Sequence, residues 1–142
     1  MKKHIITAFI LLISIVSFAQ NGGTDYSAFI QKADISYNNK QYLEAANYYS
    51  KAFNANSNMG KVKDRLKSAS CWALLNNNDS AFYQLYRIAK KSPYTDYEEL
   101  QANKSFTSLH NDKRWNDIIS IMQNRKQEIE DQIKNAPAPI SN

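Results

Sequence analysis

Apolar positions in this chain recur three and four residues apart, and the rhythm stops only at short polar clusters. Phe29, Ile30, Ala33 and Tyr37 share one side of a first predicted helix over about 25–38. Asn38, Asn39 and Lys40 make a turn. Tyr42, Ala45, Ala46, Tyr49, Ala52 and Phe53 then mark a second helix over about 41–55. Val62, Leu66, Ala69 and Ala73 give a third helical face, broadened by Trp72 and Leu74. Asn76, Asn77 and Asn78 form the next turn, with Asn78 or Asp79 placed to cap a fourth helix that carries Ala81, Phe82, Leu85, Ile88 and Ala89. Lys90 and Lys91 suit its C-terminus, and Pro93 closes it. The Ala33–Ala45 spacing of twelve returns as Ala69–Ala81, thirty-six residues later. A period of that length marks stacked helix–turn–helix units.

The pattern then changes. One helical turn is predicted around 97–101 and another around 105–109. Asn111 or Asp112 caps a long last helix whose buried face is Trp115, Ile118, Ile119 and Met122. Beyond Met122 that face thins to Ile129 and Ile133, and Glu130 and Lys134 form an i,i+4 pair on a solvated end. Glycine occurs only at positions 22, 23 and 60 and proline only at 93, 137 and 139, so few breakers interrupt the helices. The fold expected is all-α: two stacked hairpins, short helical turns and a long C-terminal capping helix.

The first nineteen residues differ in kind. Lys2 and Lys3 give a positive start, residues 5–18 carry no charge, and Ser17 and Ala19 stand where a signal peptidase reads small residues. A secretory signal over 1–19, cut before Gln20, is the expectation. Fourteen uncharged residues fall short of the roughly 20 that span a bilayer, so no stable membrane span is expected after cleavage. Residues 20–24 then read as a polar lead-in, 25–122 as the repeat domain with its cap, 123–135 as an extension of the last helix, and 136–142 as a loose tail. Without Lys2 and Lys3, sixteen basic residues face thirteen acids, a net +3 too mild for a nucleic-acid footprint. Cys71, the sole cysteine, excludes an intramolecular disulfide and reads as a buried thiol.

Ala33, Tyr37, Tyr42, Ala45, Tyr49 and Ala52 resemble the signature of the tetratricopeptide repeat. The second hairpin departs from it, with Arg65 at a large apolar position, Asn78 at an aromatic one and a loosened turn that lengthens the period from about thirty-four. Residues 69–119 further resemble the end unit of exported bacterial repeat proteins of unknown function: Ala69-Ser70-Cys71 on one helix, then Phe106, Leu109, Asp112, Arg114 and Trp115, with Lys104 in place of a common acid. These aromatics would lid the open flank of the stack, and Arg114 beside Asp112 would close the turn as a surface pair.

In that family the first helix of each hairpin lines a concave wall. The resemblance implies that the wall here includes Asp34, Tyr37 and Asn38, then Lys63, Lys67 and Ser70, groups suited to an extended peptide or its terminal carboxylate. Read without the resemblance, Lys61, Lys63, Arg65 and Lys67 are a solvated, charged helix start. Catalysis is not expected. His110 is the only histidine left after signal removal, no His-Glu-x-x-His, phosphate loop or nucleophile elbow occurs, and Glu98 and Glu99 diverge on a helix. The function expected is an exported (periplasmic or secreted, bacterial), non-catalytic module that holds a protein or peptide, with no cofactor and no metal. An accessory or truncated relative of a larger exported protein is the alternative, and the long helix offers a seam for self-association that Arg125 and Lys126 interrupt.

Overall fold

A computed structural model describes residues 21–136. The signal segment over 1–19 and the tail over 137–142 lie outside them. Every element described is helical: α1 (Asn21–Asn38), α2 (Tyr42–Ala55), α3 (Val62–Leu74), α4 (Asn78–Lys91), α5 (Tyr97–Ala102), a 3-10 turn (Lys104–Leu109) and α6 (Lys113–Lys134). Helix α1 starts at Asn21, so most of the expected lead-in belongs to it; two glycines weaken a helix but, unlike proline, leave its backbone bonds intact.

Both hairpins are built on the same alanines. Ala33, Ala45, Ala69 and Ala81 have no exposed surface, and α1 packs on α2 as α3 packs on α4. With only a methyl group at the crossing, two helices approach to about 8–10 Å. The turns repeat bond for bond at the interval of thirty-six. Asn39 N–H donates to the Ile35 carbonyl, Lys40 to Tyr37 and Gln41 to Ser36; Leu75 donates to Cys71, Asn76 to Ala73 and Asn77 to Trp72. Lys40 and Asn76 both sit in the left-handed region, at φ 59° and 58°. The second turn is therefore not loosened. Six residues, 56–61, separate α2 from α3.

Two apolar cores result. Ala33, Ala45, Ala46, Tyr49 and Phe53 of the first hairpin form one together with Cys71 of α3. The other joins the second hairpin to the terminal unit through Phe82, Leu85, Ile88, Phe106, Leu109, Trp115, Ile118 and Met122. The 3-10 turn packs on α3 and α6 on α4, which covers the flank that two hairpins alone would leave open. Trp72 is partly buried and touches both cores. Leu74 does not broaden the buried face and is 42% exposed, because it lies one position past Ala73 on the far side of the helix.

Side-chain caps fix the later elements. Asp96 accepts from Glu99 N–H, Asn103 from Ser105 and Asp112 from Arg114. At α4 the cap is Asn77, accepting from Ser80 N–H at 3.1 Å, one residue before the positions expected from sequence. Arg114 closes the last turn as expected, with Nη2 2.7 Å from Asp112 Oδ2. It also reaches Asp79 at 2.7 Å and lies 4.2 Å over the Phe82 ring, so it ties the start of α6 to the start of α4. Arg125 donates to the carbonyls of Lys90 and Ser92, filling acceptors that the end of α4 leaves open. Farther along α6 the expected Glu130–Lys134 ion pair is not formed. Gln127 donates to Asp131 at 3.0 Å instead, and Ile133 is 71% exposed.

Gly60 tests the packing of the first core. A Cβ there would stand 2.5 Å from Phe53 Cε1. The Phe53 ring is held between Tyr49, at 6.4 Å between centroids, and the Arg65 guanidinium at 4.4 Å, so it cannot retreat. Gly60→Ala is expected to destabilise the fold by about 1–3 kcal/mol, read as a lower urea midpoint at unchanged m-value.

Candidate functional site

The six residues expected on the concave wall occupy α1 and α3, but not as six free groups. Lys67 Nζ lies 2.8 Å from Asp34 Oδ1 and 5.8 Å from the Tyr37 centroid. The same carboxylate oxygen accepts the Tyr49 hydroxyl at 2.6 Å. Burial alone would raise the Asp34 carboxyl, yet hydrogen bonds from Lys67 and Tyr49 outweigh it and hold the group below its ordinary value. Tyr49 is pushed the other way, by burial and by the carboxylate beside its hydroxyl. Tyr37 packs edge-on against Tyr42, with centroids 5.9 Å apart.

The remaining three differ. Ser70 is buried against Tyr37 and has almost no surface to offer. Asn38 and Lys63 are exposed, and the charge of Lys63 also lowers Asp34. Lys67 and Asp34 neutralise each other across the two hairpins. These six positions thus give a polar strip with one unpaired ammonium, not the doubly cationic wall expected.

A second group of polar residues lies between the hairpins, and its chief member was expected in solvent. Arg65 is not part of a solvated helix start: it is 4% exposed. Its Nη1 donates to Gln84 Oε1 at 2.6 Å and its Nη2 to the Asn58 carbonyl at 2.7 Å. The face of its guanidinium covers Phe53, which is how a cation can stand at an apolar position. Arg87 donates to the same Asn58 carbonyl at 2.5 Å. Asp64, 1% exposed, accepts the Tyr26 hydroxyl at 2.6 Å, and that contact with burial raises Tyr26 to about 12. The signal available in the sequence was the departure itself, a charge at an apolar register position with Gln84 inside the buried face of the next helix.

His110, Asp112 and Cys71 each have a defined environment. The His110 ring lies against Trp115, 4.5 Å between centroids, and Asp112 is held down to about 2 by Arg114 hydrogen bonds. Burial pushes the Cys71 thiol up to about 12. Among the described residues no group of three or more His, Cys, Asp or Glu is placed to hold a metal ion, and no helix is long and apolar enough to cross a membrane. No family model, curated protein or solved structure matches the chain.

Two outcomes follow from these environments. A depressed carboxyl stabilises the fold above its unfolded value of 3.8 and loses that contribution as pH falls through the folded value. Asp34→Asn should therefore lower the melting temperature at neutral pH, with the gap to the parent closing below about pH 4; a gap constant from neutrality to about pH 3 would refute the assignment. The Cys71 thiol should ignore Ellman's reagent in the native protein and react fully in denaturant.

Proposed function

We propose that this chain is an exported, non-catalytic helical-repeat module of the tetratricopeptide type that holds a protein or peptide partner. The observation that carries this reading is the Asp34–Lys67 bridge. It joins the first helices of two successive hairpins into one wall and leaves Asn38 and Lys63 exposed along it. Helical pairs stacked in this way leave an extended face on which a chain can lie. The turn bonds repeated at thirty-six residues support the repeat reading. The signal-like residues 1–19 support export.

Chemistry favours an extended peptide over a compact ligand. An amide at Asn38 can pair with a peptide backbone, and the ammonium of Lys63 suits an acidic side chain or a terminal carboxylate. Lys67 contributes by orientation, since its charge is already matched by Asp34.

An array of extended peptides with free or amidated C-termini tests the proposal. Binding is expected for carboxylate-ended members. Lys63→Glu should weaken it about threefold to tenfold while the circular-dichroism melt stays unchanged. Lys67 is left intact because a glutamate there would face Asp34 and unsettle the fold. Equal binding by Lys63→Glu, or no peptide bound at all, overturns this reading.

A further inference from the structure

The link between the hairpins holds two cations on one neutral acceptor. Arg65 and Arg87 both donate to the Asn58 carbonyl, at 2.7 and 2.5 Å. Neither takes part in any of the four ion pairs formed among the described residues. Asp64, adjacent in sequence, is turned to Tyr26 instead. Arg87 keeps its Nε–H buried and without a partner. Burial and the neighbouring Arg87 both lower Arg65 from its ordinary value, which is the mark of two like charges held together at a cost.

A loop tie alone does not call for this arrangement. The carbonyl's two lone pairs can take both donors, but a neutral oxygen does not offset the repulsion between two guanidinium groups. The loop is itself strained, with Ser57 at φ 51° and Asn58 at φ 57°, a region that residues other than glycine occupy at a cost. Its rim is accessible: Met59 is 59% exposed and Tyr83 48%. Asn58 Nδ2 donates to the Tyr83 hydroxyl at 2.9 Å, so the proton of that hydroxyl is left to be given elsewhere.

We propose that Arg65, Arg87 and Tyr83, gathered on the loop around Asn58, form a binding site for an oxyanion, the carboxylate or phosphate group of a small molecule. Guanidinium forks match planar and tetrahedral oxyanions through paired N–H donors, which chloride cannot use in the same way. The bound group supplies the negative charge that the pair lacks. Arg65, stacked on Phe53 and fixed by Gln84, is the rigid member; Arg87, less buried, is the one that meets solvent.

The test follows the Arg87 Nε–H signal by proton–nitrogen NMR while inorganic phosphate or acetate is added at constant ionic strength, with sodium chloride as the control. A saturable shift with phosphate or acetate and none with chloride is expected. Tighter binding of phosphate points to a phosphorylated source, and equal or tighter binding of acetate to a carboxylate one. Arg87→Gln should weaken binding about tenfold or more, followed in that variant by the thermal shift that the anion produces. Where Arg87→Gln does not fold, Arg87→Lys, which keeps the charge and loses the fork, and Tyr83→Phe carry the comparison, each expected to weaken binding severalfold. No saturable shift with either anion, or undiminished affinity in the variants, overturns the site. Peptide binding on the α1–α3 wall is read separately, so either proposal can fail alone.

Discussion

Two helices come only as close as the side chains between them allow, and in this chain the distance is set by methyl groups. Ala33 against α2 and Ala69 against α4, with Ala45 and Ala81 as their counterparts, admit a close crossing that any larger residue would open. Close crossing leaves no space for a solvated turn, which accounts for the tight, repeated bonds at Lys40 and Asn76. It also decides where the large side chains go. Tyr49 and Phe53 gather in the first core, and Phe82 and Leu85 in the second. Each hairpin therefore has its own apolar residues beside the seam and must find a neighbour to cover them.

The neighbours are unequal. The second hairpin is covered by the terminal unit with a continuous apolar core, in which Phe106 and Trp115 lie 6.0 Å apart and each large aromatic is worth on the order of 2–3 kcal/mol. The first hairpin meets the second through Cys71 and Trp72, which pack in its apolar core, and through the buried polar residues Asp64 and Arg65, which bond Tyr26 and the Asn58 carbonyl. Polar groups in such a layer stabilise little net once their desolvation is counted. They do constrain geometry, because Arg65 must satisfy Gln84, Asn58 and the Phe53 face at once. The joint between hairpins thus adds direction-dependent contacts to its apolar ones, where the lid rests on area.

This division explains what the sequence disclosed. Helical period and alanine spacing are local signals, and they placed α2, α3 and α4 and the buried face of α6 correctly. Capping depends on one residue's backbone geometry, so Asn77 and Asn78 could not be told apart by type alone. The misplacement of Arg65 has a different origin. Four basic residues at alternate positions read as a solvated run, yet a helix turns by about 100° per residue, so Lys61, Lys63, Arg65 and Lys67 point in different directions. Lys63 reaches solvent, Lys67 reaches Asp34 on the neighbouring helix, and Arg65 reaches the interior. The candidate wall was legible as a set of positions, while the pairing that cancels two of its charges required the neighbouring helix.

Charge placement then connects the two faces of the joint. On the α1–α3 side the cation Lys67 is met by Asp34, and that pair locks the hairpins at one point. At the link the cations Arg65 and Arg87 share the Asn58 carbonyl, Arg65 adding the Gln84 amide oxygen and the Phe53 ring, and neither meets a carboxylate. Trp72, wedged between the two cores, is the side chain whose packing any change in hairpin angle must alter. Apolar area makes each unit, and where the units meet, directional polar contacts add to the apolar ones and fix the geometry.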